Sequence, residues 1–545
     1  MEINCLFKWL GLVLLVIGSV VVPFRQPMDA SAAADLKKTA HVILHESRLP
    51  NKASEGYPLP LAALWNTGWA PGGFGPEYQL EMIEQGHYLL PAFYLPAPWE
   101  SSWIGRMLYY EKALKKAALL QLPISFVSTQ WERYLTVSPG YRFLPAQDNP
   151  NVVDRQGSIQ TKVSPFGPVG HWYEVGKKWT SSPLLTRLQQ WYPDPPQVLF
   201  VSNNEHDKLL WHEVEMSARY RQLYGAGHDD AFKRKVVGDG WIGRYRALQL
   251  GMRDGLGTSG WTANVAFIGY EAFGTRAFGR WQEWVKYSLY TPERFDPWPL
   301  AWDGGSVSYY VHNWSSNTDH TVMSPQIEAM NWVFMKEGAE QLNPDFRFEM
   351  SVWDGHEPTK SNDKRSHYRR TGSVFTPQRY EGYVQFGMWL LRPRVVREFR
   401  NHLATVAADE PYFLAIVRAV DRVHDTALLT SFWRKGRLVA NRRYPHPYQT
   451  AVPAAYKNMD RWFLLDTNLD PKRPWKLDTS LPVFSLALVI GEKPNRQWLV
   501  YAHAPLGPQQ AVKISVPDYK TITADVTPAG CFYYLVEQNG MKRLI

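Results

Sequence analysis

Cysteine is almost missing from this chain: Cys5 and Cys531 are the only two in 545 residues. Cys5 lies in the N-terminal segment that a signal peptidase would remove, so no intramolecular disulfide is expected and stability must come from packing. Long apolar runs are missing too, apart from Leu10 to Val22. That run is short of the roughly 20 residues a membrane span needs, and no other segment approaches it, so no stable span is expected after signal cleavage. No Lys/Arg-rich run of the kind that grips phosphate backbones occurs, which argues against a nucleic-acid partner. Neither HExxH nor paired-Cys spacing is present, so no metal is expected and no cofactor is invoked. The chain also lacks internal repeats and low-complexity tracts.

Lys8 precedes the N-terminal apolar run, and Ala30, Ser31, Ala32, Ala33 and Ala34 follow it. A charged start, an apolar stretch and a small-residue site read as a signal peptide over residues 1–34, so an exported protein is expected. Those residues carry no net charge, because Lys8 and Arg25 balance Glu2 and Asp29, and the mature chain keeps the formal +9. A solvated basic surface accounts for this charge, and an acidic or sulfated polymer would suit it. Hydrophobic residues make up 45% and charged ones 20%, the balance of a globular protein. The 24 Trp and 29 Tyr exceed ordinary core filling. Flat rings with apolar faces suit sugar C–H faces, with a Trp-rich core as the plainer explanation.

From residue 58 onward one phrase recurs: a short β-branched or aromatic run, a polar loop, then an amphipathic stretch. Parallel strands with crossover helices produce that alternation. Eight runs read as strands: Leu61 to Asn66, Tyr88 to Leu95, Ile124 to Gln130, Val198 to Asn204, Thr262 to Tyr270, Ser306 to His312, Phe346 to Met350, and Tyr383 to Trp389. Ser182 before Pro183 reads as a helix start, with Leu184, Leu188 and Trp191 on one face. A second helix opens at Pro76 and closes at Gly86, and Ile327, Met330 and Phe334 mark a third. Leu144 to Gly170, Asp229 to Thr258 and His356 to Phe375 read as long loops that would shape a site. The expected architecture is a (β/α)8 barrel over residues 35–400, a helical connector over 401–459, and a small antiparallel β-sandwich over 460–545.

Two segments carry the chemistry. In VLFVSNNEHD, residues 198–207, an apolar strand runs into Asn203, Asn204 and Glu205. In DFRFEMSVWDG, residues 345–355, a period of two turns Arg347 and Glu349 into the barrel and Phe346 and Phe348 toward the helices. Carboxyl groups at the C-terminal ends of barrel strands four and seven would face each other across the mouth, although 144 residues separate Glu205 from Glu349. Glycosidic hydrolysis with retention needs such a pair, about 5–5.5 Å apart. The competing carboxylates are Glu132 after strand three, Glu271 after strand five, and Asp354. For any one of them a surface or salt-bridged role is the commoner fate.

An Asn-Glu pair ending strand four with a second Glu on strand seven resembles the signature of clan A glycoside hydrolases, which include β-galactosidases, cellulases and many β-agarases. The resemblance covers residues of about 58–400, without the strand-two Arg that several families of the clan place there. It implies Glu205 as acid/base, Glu349 as nucleophile and Asn204 as donor to the substrate 2-hydroxyl. It also implies Tyr310 or His312 as the group holding Glu349, and Trp389 as a sugar platform. Trp131 and Asn66, at the ends of strands three and one, are expected among the substrate contacts. Arg347 or other donors are expected to keep Glu349 ionised, and burial or the neighbouring negative charge to keep Glu205 protonated. The substrate implied is a β-linked poly- or oligosaccharide. A non-catalytic carbohydrate-binding barrel and a polysaccharide lyase using Tyr and His are the alternatives.

Overall fold

The computed structural model describes residues 30–65, 72–97, 103–129, 131–203, 208–270, 298–310, 332–333, 336–354, 376–399, 404–440, 465, 483–537 and 540–544. Eight parallel strands form its centre: β1 (Leu61–Leu64), β2 (Ala92–Leu95), β3 (Ile124–Thr129), β4 (Val198–Asn203), β5 (Val265–Tyr270), β6 (Gly304–Tyr310), β7 (Arg347–Trp353) and β8 (Val395–Glu398). Each pairs with the next from β2 to β8, and β8 pairs with β1. A parallel bridge between Ala62 and Leu89, just ahead of β2, joins the first strand to the second. With helices around it, the sheet is a (β/α)8 barrel. Beyond the bridge β1 and β2 diverge, and the buried Gln79 side chain stands in for the missing ladder. Its Oε1 accepts from the Ala92 N–H at 2.8 Å, and its Nε2 donates to the Ala92 and Phe74 carbonyls at 3.1 and 3.2 Å.

The labelled helices are α1 (Ala30–Arg48), α2 (Pro76–Glu84), α3 (Trp103–Leu119), α4 (Gly170–Thr180), α5 (Pro183–Trp191), α6 (Asp230–Leu256), α7 (Pro377–Leu391), α8 (Val406–Asp425) and α9 (Ala427–Lys435). The Ser182 hydroxyl caps α5 by accepting from the Leu185 N–H at 3.3 Å. Pro76 opens α2, and Gly86 just beyond its end takes a φ of 99° that suits glycine. Both match the sequence signals, whereas the helix expected around Ile327, Met330 and Phe334 lies on positions outside the described residues.

Two elements differ from expectation. Asp229 to Thr258 is no loop: Asp229 caps the 27-residue α6 by accepting from the Phe232 N–H at 2.8 Å. Its glycines weaken a helical reading of the sequence, yet they are what lets α6 lie against α4. A Cβ at Gly251 would meet the Tyr173 carbonyl oxygen at 2.0 Å, and one at Gly176 the Leu248 carbonyl oxygen at 2.0 Å. Tyr383 to Trp389 is likewise no strand but the middle of α7, which Thr376 caps and Pro377 opens. Every side chain from Arg379 to Leu391 is buried, so the amphipathic stripe that announces a helix is absent. The eighth strand follows instead, at Val395–Glu398.

Past the barrel, α8 and α9 lead into five antiparallel strands: β9 (Arg437–Leu438), β10 (Phe484–Ile490), β11 (Gln497–His503), β14 (Cys531–Val536) and β15 (Gly540–Arg543). β12 (Gln509–Ser515) and β13 (Thr521–Val526) make a separate pair. Alternation along β10 and β11 gives the larger sheet two buried faces. Phe484, Leu486, Leu499 and Tyr501 join the barrel's own core, while Ala487, Trp498 and Val500 pack with Val512, Ile514 and Ile522 of the smaller sheet. The antiparallel C-terminal unit is therefore a sandwich whose outer face is welded onto α7.

His503 sits in that seam, ringed by Tyr383, Phe386, Phe484 and Tyr501. Neither ring nitrogen has a hydrogen-bond partner among the described residues. Burial, with a smaller push from the Arg379 charge, drives its pKa down to about 3. In the unfolded chain the ring protonates below about pH 6.5, and in the folded chain not until about pH 3. Stability is therefore fully present above about pH 6.5 and falls toward pH 3, by up to about 1.4 kcal/mol per pH unit. Urea midpoints at pH 7 and pH 5 check this: the drop between them is smaller in His503→Phe than in the parent.

Candidate active site at the barrel mouth

The registered strand pairs locate every lumen residue along the barrel axis. One circuit of those pairs returns displaced by eight residues, the stagger of an eight-stranded barrel whose interior fills in layers of four from alternate strands. Compensating one residue per strand puts Ala63, Ser125, Ile268 and Glu349 in one layer. Ala92, Val201, Ser306 and Arg397 make the next layer toward the mouth, followed by Trp65, Val127, Tyr270 and Ser351. Two contacts confirm the levels. The Arg397 Nη1 donates to Ser125 Oγ at 3.3 Å across the lumen, and the Trp65 and Tyr270 ring centroids stand 4.9 Å apart.

Glu349 thus points into the barrel as the period of two requires, but it does not end its strand. It is the third residue of β7, and Trp353 is the last. Four residues at about 3.3 Å each leave it about 13 Å along the strand from that end. Its carboxylate is wholly buried and grips Arg397 twice, Oε2 at 2.5 Å from Nε and Oε1 at 3.3 Å from Nη2. The guanidinium that hydrogen-bonds Glu349 is that of Arg397, one of the other donors the sequence leaves open, while Arg347 makes no hydrogen bond to it among the described residues. Arg347 lies nearer the barrel floor, donating to the Ser47 carbonyl and Gln197 Oε1 at 3.1 and 3.2 Å, and burial lowers its pKa to about 10. Above Glu349, Trp65 and Tyr270 are 1% and 2% exposed, and the Tyr270 hydroxyl hydrogen-bonds Ser308 Oγ at 2.6 Å. Arg397 and these two rings stand between Glu349 and the mouth.

At the rim, β4 ends at Asn203, and Asn204 and Glu205 follow it in the chain but lie outside the described residues, as do Asn66, Glu271 and His312. Tyr310 is the last residue of β6. Trp389 is corrected outright. It belongs to α7, and its buried ring packs on Trp433 and Phe532 with centroids 5.3 Å away in each case, which leaves it no face for a sugar. Trp131 follows β3 but is 0% exposed among Trp179, Phe200, Phe267 and Trp302, in the layer between strands and helices. Such a ring offers no free face to a substrate.

Three carboxyl groups stand at the described strand ends. Glu398, last in β8, alternates with Arg397 and so faces the helices. Glu132 accepts a hydrogen bond from the Tyr245 hydroxyl at 2.6 Å and lies 3.9 Å from the equally buried Lys208 Nζ. That cluster ties the segment after β3 to α6 and to Lys208, five residues after Asn203 in the chain. Asp354 follows Trp353 directly and is 0% exposed. In the sequence Asp354 stands only as a rival carboxylate, and Arg397 goes unseen because the run Tyr383 to Trp389 of α7 reads as strand eight.

Among the described residues no helix is long and apolar enough to cross a membrane, and no three His, Cys, Asp or Glu side chains gather as a metal site would require. No protein-family model matches the chain, and no curated protein matches it either. Among solved structures, a crystal structure of an engineered protein aligns over 90% of this chain and 97% of its own at 10% identity, with a TM-score of 0.35. A likeness that low carries no argument about fold or function.

Proposed function

We propose that the chain is an exported, retaining glycoside hydrolase acting on a β-linked poly- or oligosaccharide. The observation that carries the reading is the placement of acidic residues on two strands of one closed barrel. β4 ends at Asn203, with Asn204 and Glu205 next in sequence, and β7 carries Glu349 and is followed at once by Asp354. In a (β/α)8 barrel the C-terminal strand ends and their loops form the site. Strands four and seven stand three apart on the eight-stranded circuit, and in this reading carboxyls at their ends face each other across the mouth. In this reading Glu205 protonates the leaving oxygen and later takes a proton from water, Asn204 contacts the sugar beside it, and a carboxylate of strand seven attacks the anomeric carbon.

A panel of plant and algal polysaccharides, neutral and sulfated, tests the reading through release of reducing ends. New reducing ends without ultraviolet-absorbing unsaturated sugars support hydrolysis. Unsaturated products indicate a lyase, and binding without turnover indicates a carbohydrate-binding barrel.

A further inference from the structure

Aromatic residues make up 14% of the chain, yet among the described side chains only two aromatic ones are exposed, Phe143 at 74% and Tyr224 at 37%. Tyr224 is still held by the rings of Tyr220, Phe166 and Phe232, with centroids 5.6, 5.9 and 5.6 Å away. No ring packs on Phe143 among the described residues, and the group over it is the Arg142 guanidinium, 5.6 Å from its centroid. Phe143 lies between β3 and α4, where a (β/α)8 barrel places a mouth-side loop.

Residues 141–149 are tied down from within. The Asn149 side chain, 0% exposed, sets its amide nitrogen 3.1, 3.1 and 3.0 Å from the Tyr141, Arg142 and Leu144 carbonyl oxygens. Its Oδ1 accepts from the backbone N–H and the side-chain amide of Asn151, both at 3.0 Å. Arg219 Nη2 donates to the Ala146 and Gln147 carbonyls at 2.6 and 3.3 Å, and His171 Nε2 stands 2.8 Å from the Asp148 carbonyl oxygen. This bracing fixes the backbone while the Phe143 ring stays in water, and a platform held in place beforehand binds without the cost of ordering a loop. The size of the exposed surface then limits the occupant. One aromatic side chain offers about 150–250 Å², far below the roughly 800 Å² per partner of a stable protein interface. It matches the apolar C–H face of a single pyranose ring, and the exposed Arg142, Gln147 and Asp148 of the same loop can hydrogen-bond the hydroxyls around it.

We propose that Phe143 is the sugar-stacking platform of a secondary polysaccharide-binding site, outside the barrel lumen, that holds a stretch of polymer on the mouth side of the barrel. The choice of ligand rests on the carbohydrate reading above, but the site uses neither Glu205 nor Glu349.

The test is affinity electrophoresis of the mature full-length protein in gels containing each polysaccharide of the panel, alongside the reducing-end assay. Phe143→Ala weakens retention by about 5–10-fold, whereas Phe143→Trp, with a larger ring, retains it. Leu119→Ala, which trims a side chain 85% exposed on α3, is retained like the parent. Melting temperatures of all three match the parent's, because each site is on the surface. Retention of Phe143→Ala equal to the parent's, or an equal loss in Leu119→Ala, overturns the site, while reducing ends released by the parent leave the hydrolase reading standing. Weakened retention of Phe143→Ala with no reducing ends from the parent keeps the site and removes the hydrolase reading. A parent retained by no polysaccharide overturns the site. So does a parent dimer that Phe143→Ala splits, since the loop would then be a face between copies.

Discussion

Glu205→Gln lowers the release of reducing ends from the responsive polysaccharide by about 10²–10⁴-fold, the range lost when a positioned general acid is removed. The loss shrinks on aryl glycosides whose leaving groups depart without protonation, because only the acid step of the first half-reaction is then bypassed. Azide added to Glu205→Ala intercepts the covalent intermediate and gives glycosyl azide of the substrate's own configuration. Initial rates on a natural polymer and on a dinitrophenyl glycoside measure the effect. Equal losses on both substrates would assign Glu205 a role other than proton transfer.

Glu349→Leu destabilises the fold by about 3–5 kcal/mol, because it leaves the fully buried Arg397 guanidinium without its carboxylate. For a domain of this size that corresponds to a melting temperature lower by roughly 5–10 °C. The double variant Glu349→Leu with Arg397→Met recovers most of the loss, since both charges have gone and apolar side chains of similar volume fill the layer. Calorimetric melting of the two single variants and the double variant closes the cycle. Coupling near zero would mean that the pair contributes nothing to the barrel's stability.

The two carboxylates also show where sequence reasoning reached and where it stopped. The period of two along RFEMSVW places Glu349 inside the barrel, and Arg397 meets it there. What the pattern does not give is the strand's length. Ser351 interrupts the apolar run after Met350, so the strand reads as ending near Glu349, whereas Ser306, Ser308 and Ser351 are all strand residues that line the lumen. Three extra paired residues shift the rim from Glu349 to Asp354. The eighth strand failed for a related reason. YEGYVQFGMWL is buried on all sides between the barrel and the C-terminal sandwich, which erases the helical stripe and leaves an alternation that mimics a strand. With α7 taken as strand eight, Arg397 and its pairing with Glu349 go unseen, and Trp389 acquires a site role that its contacts with Trp433 and Phe532 deny.

The barrel itself was legible because strand-like and helix-like runs alternate along the chain, and signals such as Ser182 with Pro183 or Pro76 with Gly86 fix the phase locally. α6 was not, because its glycines answer to a neighbour, the backbone of α4, that no local pattern reveals. Long-range facts of this kind set the axial levels of the lumen, and those levels put Glu349 about four residues below the end of its strand.

Proton NMR of the first-formed product tests the central claim most directly. On the polysaccharide that gives reducing ends, two carboxyls at the ends of strands four and seven should release a sugar whose new reducing end first appears in the β configuration. Initial appearance of the α anomer would contradict a covalent intermediate on strand seven, and with it the account given for this barrel.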